Sequence, residues 1–448
     1  MPKRPSIAIE GVAVVDVVRG EIVEPRTVVI ADGRIAAIRE PHAMTIPPEA
    51  VHVDGQGQYL MPGLVDMHVH LFNGASGRLP NDWAFPLFVA NGVTGVRDMR
   101  TDPWEMSVVE FWRFKAARGE IVAPRVLAAG APVGGNISRQ MVRDAKKLRS
   151  DFIKIFSHVR EREWRAILDE ARTAGLPVCG HIPPDVSLLE AGTAGHRSNE
   201  HLTQVYEACS PRETEWLEAR KKLPDKELRN LRETQEREVL ESFDQSACDR
   251  SATALAKTDQ VQVPTLVLPH FEAKGSPKNF REDPLWRYLR ADEQARWERI
   301  FKEGYPGAGD KLAARRWEVS RQIVKTLNAA GVRILAGTDA PMPQVYPGFA
   351  LHKELELLVE AGLGPADVLR AATIWPAEFL GLSESTGLIA LGKRADLLLL
   401  NGNPLSDIRH TQRIHAVILD GRLLQRTDLD KLLDGASGGQ KSEVNRKR

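Results

Sequence analysis

Residues 6–60 alternate short β-branched, apolar runs with turn signals. Ser6–Val17 is rich in Val and Ile, Thr27–Ile38 carries an Asp32-Gly33 turn, and Ala50–Leu60 includes Asp54-Gly55. Period-two runs bounded by such dipeptides predict a small all-β unit. From Leu64 the pattern changes to apolar runs of four to eight residues separated by helix-period stretches such as Arg162–Ala174 and Arg315–Ala330. The runs predict strands at Val65–His70, Val93–Met99, Arg125–Ala129, Phe152–Phe156, Val178–His181, Ser198–His201, Val261–Leu268 and Arg333–Asp339. Eight strand–helix alternations predict parallel βα units, and eight closes a barrel. Two extensions, 205–260 and 269–314, follow predicted strands at the end where barrels place their active sites, so a lid or an oligomer contact is expected there. After Leu382 strands return at Gly387–Leu391, Ala395–Leu400 and Ile414–Leu424, the last with an Asp420-Gly421 turn.

The expected organisation is therefore α/β. A (β/α)8 barrel over residues 62–385 carries a small composite β-sandwich from residues 1–61 and 386–433, and a polar tail, 434–448, is expected to be disordered. Composition adds exclusions. Sixty-one Lys and Arg against 60 Asp and Glu leave a charge of +1, which argues against a nucleic-acid partner or an anionic membrane surface. No apolar run reaches the ~18 residues needed to span a bilayer. Glu10 and Asp16 interrupt the stretch a signal peptide would need. The three cysteines, Cys179, Cys209 and Cys248, are too few for a disulfide framework and suit a reducing compartment, so a cytoplasmic protein is expected.

The candidate chemistry sits at predicted strand ends. His68 and His70 close the first barrel strand, and residues i and i+2 on a strand project to one side. Lys154 closes the fourth, His181 the fifth, His201 the sixth and Asp339 the eighth. Six such groups at strand C-termini would converge on the barrel mouth. Imidazole nitrogen and carboxylate oxygen suit zinc, with a coordination position left for water. Four His and one Asp exceed the needs of one catalytic ion and suggest two divalent ions. Lys154 fits such a cluster as a carbamate, an anionic bridge made with carbon dioxide; its alternative is a snorkelling strand-end lysine. Tyr206 and His270 follow strands six and seven and are candidate substrate contacts. Arg97-Asp98 reads as a buried structural pair, His352 as a packing or hydrogen-bonding group, and His158 and His196 as surface residues.

These residues lie in a recognisable series: Met61-Pro-Gly-Leu-Val-Asp-Met-His-Val-His, Val93-Thr-Gly-Val-Arg-Asp, Phe152-Ile-Lys, Gly180-His-Ile-Pro, Ser198-Asn-Glu-His-Leu, Gly337-Thr-Asp-Ala and Leu388-Ile-Ala-Leu-Gly-Lys-Arg-Ala-Asp-Leu. In this order they resemble the amidohydrolase superfamily of metal-dependent hydrolases. Lys154 with Gly348-Phe-Ala-Leu-His-Lys-Glu-Leu-Glu-Leu-Leu is most similar to its prolidase/imidazolonepropionase-like branch. The resemblance implies His68 and His70 on the more buried ion, His181 and His201 on the more exposed one, Lys154 bridging, and Asp339 binding metal and shuttling protons. It also implies a homo-oligomer and a small-molecule substrate such as a dipeptide or N-acyl amino acid. A mononuclear deaminase or cyclic-amide hydrolase, a lactone or organophosphate hydrolase, and a non-catalytic scaffold are the alternatives.

Overall fold

A computed structural model describes residues 5–46, 48–72, 80–134, 138–275, 279–303 and 309–445. The N-terminal unit contributes β1 (Ile7–Asp16), β2 (Glu21–Ala31), β3 (Arg34–Arg39), β4 (Val51–Asp54) and β5 (Tyr59–Pro62). The far end of the chain returns as β13 (Leu397–Leu400), β14 (Ile414–Leu419) and β15 (Arg422–Gln425). One eight-stranded sheet results, in the order β15-β14-β13-β5-β1-β2-β3, with β4 beside β1. β13 and β5 pair antiparallel, Leu397 opposite Pro62, so the two ends of the chain are stitched together. The four leucines of β13 are all buried because each face of the strand meets a core. Leu397 and Leu399 join the sheet core with Ile7, Ile9 and Ile418, and Leu398 and Leu400 join the barrel core.

Seven parallel strands make the barrel: β6 (Leu64–Val69), β7 (Val93–Asp98), β8 (Arg125–Pro132), β9 (Phe152–Ile155), β10 (Val178–Gly180), β11 (His196–Glu200) and β12 (Val261–Val263). Residues 333–340 close it between β12 and β6. Leu335 N donates to Gln262 O at 2.9 Å, Met67 N to Ala336 O at 2.9 Å, and Asp339 N to His68 O at 2.7 Å. Arg125 ties the barrel to the β-sheet unit through Asp396 (3.1 Å) and Asp420 (2.8 Å).

Several sequence expectations are corrected. The seventh strand ends at Val263 rather than Leu268, because Pro264 has no N–H to donate and Thr265 turns to φ 49°; Val267–Lys274 is helix. Residues 387–391 are not a strand: Gly387 (φ 95°) and Gly392 (φ 79°) are left-handed and interrupt the extended run. The tail expected from residue 434 continues a helix, Arg426–Asn445, whose first half is anchored by buried Leu429 with Leu432 and Leu433 against the barrel core; 446–448 lie outside the described residues. Cys209 and Cys248 are bonded to each other, leaving Cys179 free and buried. The segment 205–260 folds back as a helical layer and joins cysteines 39 residues apart, which linear spacing does not reveal. That pairing removes the cysteine argument for a reducing compartment. Among the described residues, no helix is long and apolar enough to cross a membrane.

Candidate metal centre

At the C-terminal end of β6, His68, His70 and Asp339 place one ligand atom each within 4.8 Å of one another. Asp339 Oδ1 lies 3.1 Å from His68 Nε2 and 2.8 Å from His70 Nε2. The His201 ring centroid is 4.6 Å from that of His68, and His181 is 5.0 Å from His201. In each outer imidazole Nδ1 is occupied by a hydroxyl, Ser157 Oγ at 3.0 Å for His181 and Thr265 Oγ1 at 2.7 Å for His201. Holding one ring nitrogen fixes the ring and leaves Nε2 for another partner, as in metal sites. Lys154 reaches the same cluster from β9. It is fully buried, and its Nζ has no hydrogen-bond partner among the described residues.

The backbone at the strand ends is shaped for this convergence. His201 (φ 59°) and Asp339 (φ 67°) are left-handed, a conformation non-glycine residues hold only where surrounding structure enforces it. A Cβ at Gly337 would lie 2.9 Å from His68 Cβ, and one at Gly180 would lie 2.3 Å from Ile155 O and 2.9 Å from Lys154 Cδ. Glycine at both places lets the backbone approach the ligands.

Behind the cluster is a buried relay that sequence reasoning left unassigned. Glu200 Oε2 accepts from His68 Nδ1 at 2.8 Å, and its Oε1 lies 2.9 Å from Arg97 Nη2 and accepts from Ser198 Oγ at 2.5 Å. Arg97 also donates to Met67 O (2.6 Å) and Ser198 Oγ (3.0 Å). Arg97 is thus a buried structural group, as expected, but its partner is Glu200. Asp98 instead accepts from Leu71 N at 2.6 Å and from the Thr101 hydroxyl. Asp66 accepts from Thr338 Oγ1 at 2.7 Å and from the amides of His68 and Thr338, pinning β6 to the closing segment. Both acids stand in the sequence motifs, in Val-Asp-Met-His and Ser-Asn-Glu-His, one or two residues from a histidine. That spacing was the available signal.

The electrostatics follow from burial opposed by neighbours. Burial alone would raise the Asp339 carboxyl, but His68 and His70 hold it well below the usual carboxylate range. Burial acts likewise on Glu200, and Arg97, His68 and Lys154 override it downward. Burial pushes Lys154 down to about 8 against the pull of Glu200 and Asp339, and His201 down to about 3. The surroundings therefore favour neutral imidazoles at His181 and His201 beside ionised carboxylates at Asp339 and Glu200, the states in which such groups bind cations.

Tyr206 lines a cavity of about 430 Å³ that His201 and Thr265 share with Leu268, Glu272 and Arg316. Its hydroxyl bonds Ser320 Oγ at 2.8 Å. His270 is not among the residues lining it; its ring packs edge-on against Phe271 and Trp317. Arg316 and Glu272, paired at 2.5 Å, are cavity residues that no motif or strand-end position marks in the sequence. His352 bonds Thr411 Oγ1 at 3.0 Å and donates to Asn91 O at 2.9 Å. His158 is exposed, but His196 is buried, contrary to its surface expectation: its Nε2 donates to Gly180 O at 3.2 Å, and its Nδ1 accepts from Trp164 Nε1 at 3.2 Å.

Known proteins share this architecture. The chain superposes on a bottromycin amidohydrolase with a TM-score of 0.69 at 24% identity, covering 97% of this chain and 91% of that one. It superposes on a candidate prolidase from Bifidobacterium longum with a TM-score of 0.62 at 26% identity, covering 97% and 100%. An adenine deaminase of Paracoccus denitrificans (strain Pd 1222) is 26% identical over 215 residues, 44% of this chain and 36% of that protein. A dihydroorotase of Anaeromyxobacter sp. (strain K) is 30% identical over 192 residues, 41% of this chain and 43% of that protein. These matches span less than half of either enzyme. The profile of the amidohydrolase family matches residues 59–424, from the last N-terminal strand through the barrel to the last C-terminal one, and the chain belongs to that family.

Proposed function

We propose that this chain is a metal-dependent hydrolase of carbon–nitrogen bonds, with His68, His70, His181, His201 and Asp339 holding two divalent ions bridged by a carboxylated Lys154. The reading rests on one observation: His68 Nε2 and His70 Nε2 converge on Asp339 Oδ1 at 3.1 and 2.8 Å without hydrogen-bond geometry between His68 and Asp339, and the buried Lys154 Nζ beside them has no hydrogen-bond partner among the described residues. Buried polar atoms rarely go unsatisfied, so their convergence fits a cation and its bridging ligand. Zinc suits this donor set, although His and carboxylate sites accept several metals. Divalent ions held by these residues would supply Lewis acidity for activating water and polarising a carbonyl. Lys154, destabilised as an ammonium by burial, has its free amine closer to neutral pH than an exposed lysine, as carbamate formation requires.

Asp339 is the acid/base. Held ionised beside His68 and His70, its carboxylate accepts a proton from the attacking water and delivers it to the departing amine. Glu200 and Arg97 fix the His68 ring and keep its Nε2 directed into the cluster. The cavity beside His201 takes the remainder of a small amide such as a dipeptide or N-acyl amino acid, with Tyr206 on its wall. The adenine deaminase and dihydroorotase relatives support a second reading, deamination or cyclic-amide opening at the same centre.

Metal per chain, measured by mass spectrometry after growth with zinc and bicarbonate, tests the proposal beside Lys154→Ala. Two ions in the parent chain and fewer in the variant are expected, with hydrolysis of a dipeptide and N-acyl amino acid panel. One ion in both proteins would make Lys154 a bystander, and none would leave a scaffold.

A further inference from the structure

The helix Phe349–Glu360, which follows the closing segment, turns inward an acid that the proposed chemistry does not use. Glu354, in the motif Gly348-Phe-Ala-Leu-His-Lys-Glu, is fully buried and has no cation partner among the described residues. Burial pushes its carboxyl up to about 8, opposed by two backbone amides. Oε1 accepts from Leu266 N at 3.0 Å and Oε2 from Val267 N at 2.9 Å. A buried acid is costly unless matched, and both of its matches lie in one turn, Pro264–Val267.

That turn carries the hydroxyl that meets His201. Thr265 sits at φ 49°, the left-handed region that a β-branched residue occupies only where its surroundings enforce it. The two amides directly after it are the ones that Glu354 holds. Thr265 Oγ1 donates to Pro264 O at 2.8 Å and lies 2.7 Å from His201 Nδ1. A hydroxyl has one hydrogen, so toward the ring its oxygen accepts. His201 Nδ1 therefore carries the imidazole hydrogen, and Nε2 is the bare nitrogen that a cation can take. Without this contact the ring could hold its hydrogen on either nitrogen, and one of the two tautomers offers a metal nothing at Nε2.

We propose that Glu354 is a positioning residue of the centre: it holds the turn Pro264–Val267 so that Thr265 fixes the His201 ring with Nε2 bare. The inference rests on the reading of His201 as a metal ligand and adds to it a support from a different helix. Glu200 does the same for His68 by direct contact of its carboxylate with Nδ1. Glu354 acts on His201 through two amides and a hydroxyl.

Two measurements on the full chain test this. With metal removed and histidine isotope-labelled, ring-nitrogen shifts should place the His201 hydrogen on Nδ1 in the parent chain, assigned by the signal lost in His201→Gln. Thr265→Val keeps the shape without the hydroxyl, and the amide group of Glu354→Gln would meet one backbone N–H head on. Both variants should show a mixture of tautomers. With zinc restored, chelator competition should show one of the two ions loosened by ~10–100-fold in each variant. The double variant should loosen it no further than Thr265→Val alone, since both changes act through one hydroxyl, whereas losses from general destabilisation would add. Glu354→Asp keeps both acceptors on a shorter stem, should fall between the parent and Glu354→Gln, and carries the same readings if Glu354→Gln does not fold. A single Nδ1–H tautomer in the Glu354 variants, unchanged zinc affinity there, or additive losses in the double variant would overturn the proposal. A parent chain with one zinc or none would instead overturn the two-ion reading, while the tautomers of the metal-free chain still decide the role of Glu354.

Discussion

The two ends of the barrel interior are built on the same strands and solve opposite problems. At the C-terminal end, β6, β9 and the closing segment present His68, Lys154 and Asp339 to one another. At the other end, Met99, Ala128, Phe152 and Cys179 close around Phe379 and Leu380. Arg97 divides them, its guanidinium between Phe152 (5.6 Å) and Phe379 (5.4 Å) on one side and paired to Glu200 on the other. The apolar end packs these side chains beside a cavity of about 560 Å³ and places no ligand-type cluster there among the described residues. The polar end leaves buried donors and acceptors unmatched, which folding does not reward unless something binds there. Stability and chemistry are thus separated along one axis, and substitutions at the two ends should fail in different ways.

Asp339→Asn should have the largest effect on turnover. Removing a positioned acid/base costs ~10²–10⁴-fold in rate, with metal content near that of the parent. Near-parental kcat on any substrate the enzyme accepts would remove Asp339 from the mechanism. Phe152→Ala, at the opposite end, should destabilise by ~3–5 kcal/mol through the cavity it opens, lowering the melting temperature while kcat/KM of the folded fraction holds. If activity fell as far as stability, the two ends would not be separable. Glu200→Gln lies between them. It keeps the shape but loses the charge behind His68, so metal affinity should fall ~10–100-fold, read by chelator competition. A variant with unchanged affinity would reduce the relay to a packing role.

The legible part of this molecule was whatever period and strand-end position could encode. Barrel strands showed as apolar runs, and each candidate ligand fell where its run ended, so the convergence of His68, His70, His181, His201, Lys154 and Asp339 could be anticipated. Groups whose roles arise from tertiary pairing were not legible. Glu200 and Asp66 look like ordinary strand carboxylates until the fold supplies Arg97 and Thr338. The approach of Cys209 to Cys248 depends on how a helical insertion folds back, and the stop of β12 depends on Pro264 and the turn after it. The tail from residue 434 misled because its polarity gives no sign that it continues a helix anchored just ahead of it by Leu429, Leu432 and Leu433 on a barrel surface known only from the fold.

His196 offers the finest test of how burial without a ligand differs from burial awaiting one. It is as deeply buried as His68, yet both ring nitrogens are matched within the chain: Nε2 donates to Gly180 O and Nδ1 accepts from the Trp164 indole. A second proton on Nδ1 would meet the indole N–H head on. Burial, its principal cause, lowers the group to about 4, only partly offset by the Gly180 hydrogen bond and Glu200. An unfolded histidine titrates near 6.5. Between those values the unfolded chain takes up a proton that the native imidazole refuses, so stability is lost as pH falls, by ~1.4 kcal/mol per pH unit and about 2 kcal/mol at pH 5. The melting temperature of the metal-free protein should therefore drop between pH 7.5 and 5. His196→Asn, although less stable at neutral pH, should show a shallower drop. An equal slope in the two proteins would mean that His196 is protonated as easily in the folded state as in the unfolded one.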